Sequence, residues 1–183
     1  SALKDDRPDV LILATGARPA ILHIPGVEKS EALTAWDVLS QARKAEGPCL
    51  VLGAGLVGCE TADFLSEQGK KVVLAEVLPE TATGADGDTK AYFNLKFQKN
   101  HIEVYTSTAL LRVEGKTAVL KRGDEEMKIE VETVIFAVGA TPETGPDSEL
   151  LSSIPTVIKV GDCVKSRTIL DAVREGFDAG RSV

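Results

Sequence analysis

The sequence feature that most constrains the fold is a glycine-rich turn, GAGLVG, from Gly53 to Gly58. An apolar run, CLVLG, precedes this turn and is typical of a buried β-strand. A helical pattern from Leu56 to Gln68 follows the turn and stops before Gly69. A second apolar run, KVVLAE, completes a βαβ unit of about 30 residues. The sequence therefore predicts an α/β fold with a parallel sheet.

The three glycines match the spacing G-x-G-x-x-G in the structural context that dinucleotide-binding sites require. Gly53 would form the tight turn, Gly55 would let the backbone approach a diphosphate, and Gly58 would let the helix pack closely on the strand. The helix N-terminus would supply free N–H groups and the positive end of a dipole. The predicted contacts in this turn are Gly53, Ala54, Gly55, Leu56, Val57 and Gly58.

Glu76 ends the second strand, eighteen residues after Gly58. A carboxylate at this position can accept hydrogen bonds from both hydroxyls of the adenosine ribose and would repel a 2′-phosphate. No arginine follows it closely, since the next residues are Val77, Leu78 and Pro79. NAD(H) is therefore predicted in preference to NADP(H). The alternative is a glycine turn followed by an incidental surface acid.

The remaining chain continues the alternation of strands and helices, with a small antiparallel excursion turning at Gly115 and Gly123. The first strand is predicted at Val10–Leu13, and further helices run from Thr34 toward Arg43, from Thr89 to Asn100 and from Thr168 to Ser182. Residues 141–155 are predicted to form a loop. The side chains expected to face inward are Val57, Thr61, Ala62, Leu65, Tyr92, Phe93 and Phe97. Trp36 is expected to pack in the core or at a seam between domains rather than to stack on a ligand.

Composition excludes several classes of function. The net charge of −7, without a long basic cluster, argues against nucleic-acid binding, and no apolar run is long enough to span a membrane. Cys49, Cys59 and Cys163 include no C-x-x-C pair, so disulfides, structural zinc and a redox dithiol are not expected. His23 and His101 stand apart without matching ligands, so no metal site is predicted. The cytoplasm is the expected compartment.

Four segments together resemble the two-dinucleotide-binding flavoproteins: LILATGARP, VLGAGLVGCE, VIFAVGATPE and VGDCV followed by TILDAVREGFDAGR. Within that superfamily the sequence of these segments is similar to the C-terminal part of NADH:flavin oxidoreductases of the 2,4-dienoyl-CoA reductase and trimethylamine dehydrogenase type. The resemblance implies a Rossmann-like NAD-binding domain inserted into an FAD-binding domain. The expected boundaries are 1–46 for a partial FAD-binding domain, 47–141 for the NAD-binding domain and 142–183 for the return of the FAD-binding domain.

The resemblance also implies roles for individual residues. Thr15, Gly16, Gly161, Asp162, Ile169 and Leu170 would lie on the FAD side, with Asp162 bonding the ribityl chain. Gly139, Ala140 and Glu60 would lie near the nicotinamide. The sequence shows no pattern of a nucleophile with a base, and no catalytic residue is predicted, because the cofactors themselves perform hydride transfer in such proteins.

The chain departs from the resembled family because the FAD domain's own glycine-rich turn is absent from the sequence. An N-terminal barrel with FMN and an iron–sulfur cluster, which the resemblance implies for the parent protein, is absent as well. The chain is therefore expected to be a fragment that binds NADH but does not turn over a substrate, with weak or no FAD binding. Its implied partner is the missing barrel domain, and the sequence leaves the oligomeric state open, homo-oligomers included. The alternatives are an NADH oxidase or ferredoxin reductase component, or a non-catalytic module that holds ADP or transfers electrons.

Overall fold

A computed structural model describes residues 8–28 and 32–183. The chain divides into two compact units, a larger one spanning Pro19–Gly139 and a smaller one formed by the segments up to Arg18 and from Ala140 to Val183. The strands are β1 (Val10–Leu13), β2 (Ala17–Pro19), β3 (Leu33–Thr34), β4 (Cys49–Leu52), β5 (Val72–Ala75), β6 (Glu103–Tyr105), β7 (Thr108–Glu114), β8 (Thr117–Arg122), β9 (Glu125–Glu130), β10 (Thr133–Phe136), β11 (Ala140–Pro142) and β12 (Thr156–Lys159). The α-helices are α1 (Ala35–Leu39), α2 (Leu56–Glu67), α3 (Gly87–Lys99), α4 (Ser148–Ser152) and α5 (Ile169–Arg181).

The larger unit is built on a five-stranded parallel sheet in the order β3-β10-β4-β5-β6. The strands β4 and β5 are buried at every position, which explains why their sequences read as continuous apolar runs. On one face, Val51 and Leu74 pack with residues of α1, α2 and α3. The α/β architecture predicted from the sequence is confirmed.

A three-stranded antiparallel sheet, β7-β8-β9, packs on the other face of the parallel sheet. Leu110 and Leu120 from this excursion join Leu50, Val73 and Phe136 in a second core cluster. The predicted antiparallel excursion is therefore present, with its turns at glycines of positive φ.

Two helices of the larger unit differ in detail from the sequence-based expectation. Helix α1 ends at Leu39 and does not continue to Arg43, because the chain leaves helical geometry at Gln41, whose φ is 59°. Tyr92 is exposed whereas Phe93 and Phe97 are buried, since a step of one residue turns a side chain about 100° around the helix axis. Val57 is also exposed, because it lies in the first turn of α2, before the face on which Thr61, Ala62 and Leu65 are buried.

The smaller unit contains two short two-stranded sheets, the parallel pair β1–β12 and the pair β2–β11. Residues 141–155, expected to be a loop, contribute the end of β11 and the short helix α4. Helix α5 begins with a capping box between Thr168 and Asp171, close to the predicted start. Within the described residues, no helix is long and apolar enough to cross a membrane.

The two compact units divide the chain at different positions from the predicted domain boundaries. Residues 19–46 group with the larger unit, because β3 pairs in parallel with β10 and α1 packs against its core. The assignment of the segments to NAD-binding and FAD-binding domains stays a prediction.

Candidate dinucleotide-binding site

The carboxyl ends of four neighbouring strands form one edge of the parallel sheet. The register aligns Thr34, Phe136, Leu52 and Ala75 in a row across β3, β10, β4 and β5. The glycine-rich turn follows Leu52 directly, and Glu76 follows Ala75. In open α/β sheets this edge is where ligands bind, at the point where the strand order reverses. Here the connections run from β4 to β5 and β6 in one direction, while β10 and β3 lie on the other side.

Two glycines of the turn have no room for a side chain. Gly53 has a φ of +91°, and a Cβ there would lie 2.6 Å from the carbonyl oxygen of Ala137. A Cβ on Gly58 would lie 1.8 Å from the carbonyl oxygen of Gly53. The first glycine therefore allows the tight turn, and the third brings α2 against the strand.

The middle glycine, Gly55, faces open space instead. Its φ is −65° and a Cβ there would meet nothing within 4 Å, so the position does not need glycine for its own backbone. Gly55 is the N-cap of α2, and no side chain caps this helix end. The first-turn amides of Leu56, Val57 and Gly58 are the groups that lack helical acceptors. This open, uncapped helix start fits a diphosphate, whose oxygens would occupy the space that a Cβ would fill.

Glu76 is buried and bonded to the turn. Glu76 is only 7% exposed, and its Oε2 accepts a hydrogen bond of 2.6 Å from the Ala54 N–H. Its Oε1 accepts a hydrogen bond of 2.8 Å from the Leu78 N–H. Each carboxylate oxygen retains a further acceptor site, so the group can still receive two ribose hydroxyls. Glu76 is therefore part of the architecture of the turn as well as a candidate ligand contact.

A second connection supports the turn from the loop after β5. The Ala82 N–H donates to the carbonyl oxygen of Ala54 over 2.7 Å, and Ala82 is buried with a φ of 50°. The Cys59 thiol donates to the same carbonyl over 3.4 Å. Burial raises the pKa of this thiol to about 11, so it is protonated near neutral pH and serves as a packing residue.

All three cysteines are buried and free. Burial likewise raises the pKa of the Cys49 thiol to about 11. Within residues 8–28 and 32–183, no group of three or more histidine, cysteine, aspartate or glutamate side chains is arranged to hold a metal ion.

The three positions predicted to lie near the nicotinamide are found on α2 and in the segment that follows β10. Glu60 is exposed on α2, one turn after the N-cap. Gly139 is exposed with a φ of +96° and open space at its Cβ position, so the end of β10 is accessible. Ala140 begins β11 and is counted with the smaller unit.

A shallow depression of about 240 Å³ lies beside Val77, the residue after Glu76. Its other lining residues are Ser107, Thr108, Ala109, Lys121 and Gly123. Sequence reasoning did not find this feature, because its walls come from two strands of the excursion and from a loop distant in sequence.

In the smaller unit, the predicted FAD-side residues at the end of β1 are held by backbone contacts. The Thr15 hydroxyl donates to the carbonyl oxygen of Glu143 over 2.7 Å, and the Glu143 N–H donates to the carbonyl oxygen of Gly16 over 2.9 Å. Gly16 has a φ of +75° and open space at its Cβ position. These contacts account for the strand end without a ligand.

Gly161 and Asp162 lie on a short 3-10 turn whose polar groups have partners within the unit. The Gly161 N–H donates to Glu175 Oε2 over 2.7 Å, and Glu175 also pairs with Arg167. These contacts, the Gly161 amide first, hold the pKa of the Glu175 carboxyl below its usual range. The Arg167 N–H donates to Asp162 Oδ1 over 3.2 Å.

The fit of the smaller unit to FAD is partial. Ile169 and Leu170 are 84% and 72% exposed at the start of α5, and the chain contains one G-x-G-x-x-G turn, which belongs to the larger unit. The described residues therefore supply Asp162 and a helix start but no second glycine-rich cradle for a diphosphate.

Comparison with known proteins places this geometry in a family. The family described as pyridine nucleotide-disulphide oxidoreductase matches residues 4–176. The chain belongs to this family. The superfamily resemblance found in the sequence is therefore confirmed.

Individual relatives are longer proteins. An NADH oxidase from Thermoanaerobacter brockii is 33% identical over 93% of this chain and 27% of its own length. A bilirubin reductase from Mediterraneibacter gnavus is 30% identical over 94% of this chain and 27% of its own length. Among solved structures, a complex of 2-naphthoyl-CoA reductase aligns with a TM-score of 0.89 and 21% identity, covering 100% of this chain and 28% of the other. The chain thus spans about a quarter of the length of these relatives.

Proposed function

We propose that this chain is the NAD(H)-binding part of a longer, flavin-dependent NADH oxidoreductase. The observation that carries the proposal is the joint between Glu76 and the glycine-rich turn, by which we mean the two hydrogen bonds that the Glu76 carboxylate accepts from the Ala54 and Leu78 N–H groups. These bonds fix one buried carboxylate beside an open, uncapped helix start. Such a joint offers acceptors for a ribose and donors for a diphosphate at adjacent positions.

The proposed division of labour follows the sheet edge. The first-turn amides of α2 hold the diphosphate, Glu76 accepts the hydroxyls of the adenosine ribose, and the depression beside Val77 receives the adenine. Gly139 leaves space at the end of β10 for the nicotinamide half. Glu60 and Ala140 are assigned to that half on the basis of the family resemblance alone.

The bound dinucleotide supplies a hydride, which in the longer protein passes from NADH to FAD. This chain's own residues bind and orient the dinucleotide, and the thiols of Cys49 and Cys59 take no part because burial keeps them protonated. Thr15, Gly16, Gly161, Asp162, Ile169 and Leu170 are proposed as FAD contacts of the complete protein. Since the cradle for the FAD diphosphate is not in this chain, FAD affinity is expected to be weak here.

The proposed partner is a further part of the same longer protein, such as the barrel domain with FMN and an iron–sulfur cluster that the resemblance implies. The apolar side chains on α5 support this proposal, since Ile169, Leu170, Val173 and Phe177 are all more than 60% exposed. The parent's reaction is proposed to be the reduction of an enoate or enoyl-CoA, and its location the cytoplasm. The bilirubin reductase and 2-naphthoyl-CoA reductase among the relatives accord with a reductase activity.

A second candidate is an NADH oxidase, which the 33% identity to such an enzyme favours. A third is a module that holds ADP, because the contacts assigned to the turn and Glu76 all fall on the ADP half of the dinucleotide.

Calorimetric titration of the chain with NADH, NADPH, ADP and FAD tests the proposal. We expect NADH to bind at least tenfold more tightly than NADPH, since the 2′-phosphate would meet the Glu76 carboxylate. Equal affinity for NADPH would contradict the ribose contact assigned to Glu76. Absence of binding by NADH and ADP alike would overturn the proposal.

A further inference from the structure

Trp36 is the single tryptophan of the chain, and it is not in the core. Trp36 is 48% exposed, whereas the three residues before it, Leu33, Thr34 and Ala35, are all buried. It is thus the first exposed side chain after β3, at the carboxyl end of the sheet. The half of the expectation that places Trp36 in the core is wrong, and its position at a seam between domains stays a prediction.

The position of Trp36 is fixed by a capping box at the start of α1. The Thr34 hydroxyl accepts a hydrogen bond of 3.2 Å from the Asp37 N–H, and Asp37 Oδ2 accepts hydrogen bonds of 2.8 Å and 2.7 Å from the Thr34 N–H and hydroxyl. Trp36 lies between these two residues, so its backbone is held at the end of β3.

The register of the sheet relates Trp36 to the proposed nucleotide site. In the row Ala75, Leu52, Phe136 and Thr34, neighbouring strands are about 4.8 Å apart. If the diphosphate lies over β4, the adenosine ribose at Glu76 is one strand away, at β5, with the adenine beyond it. A dinucleotide has two nucleosides of similar reach on either side of its diphosphate. The second ribose therefore falls at β10, and the second base falls near the end of β3.

The chain just after β10 places no side chain at Gly139. Gly139 is exposed beyond β10, with nothing within 4 Å of its Cβ position. On the neighbouring strand β3, the first exposed side chain after the strand ends is the Trp36 indole. An exposed indole offers a planar apolar surface, and it interacts favourably with a flat aromatic ring, the more so when that ring carries a positive charge.

We propose that the Trp36 indole contacts the nicotinamide ring of the bound dinucleotide and makes the site prefer NAD over ADP and ADP-ribose. This inference rests on the proposed function, since it takes the diphosphate to lie at the turn. The proposal gives the nicotinamide half of the ligand a protein contact. The turn and Glu76 contact only the diphosphate and the adenosine ribose. Trp36 is a binding and positioning residue and takes no part in bond making.

The test compares NAD⁺ with ADP-ribose, which lacks only the nicotinamide. Because Trp36 is the single tryptophan, its fluorescence reports on this site alone. NAD⁺ does not absorb at the wavelengths of tryptophan emission, so energy transfer cannot cause quenching, and ADP-ribose controls for effects of the rest of the ligand. We expect NAD⁺ to quench the emission at saturation, and ADP-ribose to leave it nearly unchanged.

The affinities of variants provide the second readout. Trp36→Ala should weaken NAD⁺ binding about tenfold, which corresponds to the loss of one aromatic stacking contact, and leave ADP-ribose binding unchanged. Trp36→Phe should retain most of the NAD⁺ affinity. Tyr92→Ala removes another exposed aromatic side chain, on α3, and should change neither affinity.

The outcomes separate this inference from the proposed function. If neither ligand binds the unsubstituted chain, the proposed function fails and the inference fails with it. If ADP-ribose binds but NAD⁺ binds no more tightly, or if Trp36→Ala weakens both ligands equally, the nucleotide site stands and the role of Trp36 is refuted. Unchanged ADP-ribose binding by Trp36→Ala also shows that the variant is folded.

Discussion

The two compact units of this chain differ in how completely their secondary structure is buried. In the larger unit, β4 and β5 are covered on both faces, by helices on one side and by the antiparallel excursion on the other. In the smaller unit, β1 has a single partner strand among the described residues and contains Ile12 at 38% exposure, and α5 carries exposed apolar side chains. The larger unit therefore encloses the strands that lead into the glycine-rich turn, whereas the smaller unit leaves apolar side chains exposed.

Core substitutions give the largest expected difference between the units. Leu74→Ala, at a position of 0% exposure in the larger unit, should lower the free energy of unfolding by about 2–5 kcal/mol, because it removes buried methyl groups and leaves a cavity. Leu170→Ala, at 72% exposure on α5, should change it by less than about 0.5 kcal/mol. Urea unfolding followed by circular dichroism measures both. A large loss from Leu170→Ala would show that α5 is covered in the isolated chain, as in a dimer.

A glycine-to-alanine substitution should lower the stability of the protein at one position in the larger unit and raise it at one position in the smaller unit. Gly58→Ala should destabilise the protein by about 1–3 kcal/mol, because its Cβ would clash with the carbonyl oxygen of Gly53, and should abolish NADH binding. Gly176→Ala, within α5 and with nothing near its Cβ position, should stabilise by about 0.5–1 kcal/mol through the better helix propensity of alanine. Thermal melting of both variants checks the signs, and tolerance of Gly58→Ala would mean that α2 does not pack closely on the turn.

Glu76→Gln should act on stability and on binding together. The amide can accept at one oxygen only, so one of the Ala54 and Leu78 N–H groups loses its acceptor, at a cost of about 1–2 kcal/mol. NADH affinity should fall and discrimination against NADPH should diminish. Glu80→Gln, which removes an exposed carboxylate paired with Lys90, is the matched control and should change neither quantity measurably. Full NADH affinity in Glu76→Gln would contradict the assigned ribose contact.

The two capping boxes give the smallest expected difference between the units. Thr34→Ala should cost about 1 kcal/mol, because the Asp37 amide loses its acceptor at a buried helix start. Thr168→Ala removes the equivalent cap of α5, where the residue is exposed, and should cost less. Urea unfolding at neutral pH compares the two variants, and an equal cost would contradict the difference in burial.

The first cap also predicts a pH dependence. The Thr34 hydroxyl holds the pKa of the Asp37 carboxyl below its usual value of 3.8. Its stabilisation is therefore present above that value and lost as the pH falls through the lowered pKa of the folded state. Removal of the cap should flatten the acid limb of the stability profile, and an unchanged acid limb in Thr34→Ala would contradict this assignment.

The sequence predicted the parallel sheet, the glycine turn and Glu76, because each has a local pattern: continuous apolar runs, fixed glycine spacing and an acid at a strand end. It did not predict that Glu76 bonds the Ala54 amide, since that contact depends on the alignment of β4 with β5. The core expectation for Trp36 failed for a related reason. Hydrophobic character predicts burial on average, but only the register shows that Trp36 lies beyond the last covered row of the sheet.

The most direct test of the central claim is a titration of ¹⁵N-labelled chain with NADH, followed by the chemical shifts of backbone amides. The account predicts the largest changes at Ala54, Gly55, Leu56, Val57, Gly58 and Leu78, which line the turn and its joint with Glu76, with little change at Gly161 and along α5. Binding accompanied by changes at Gly161 and α5, with the turn amides unmoved, would contradict the account and place the nucleotide in the smaller unit.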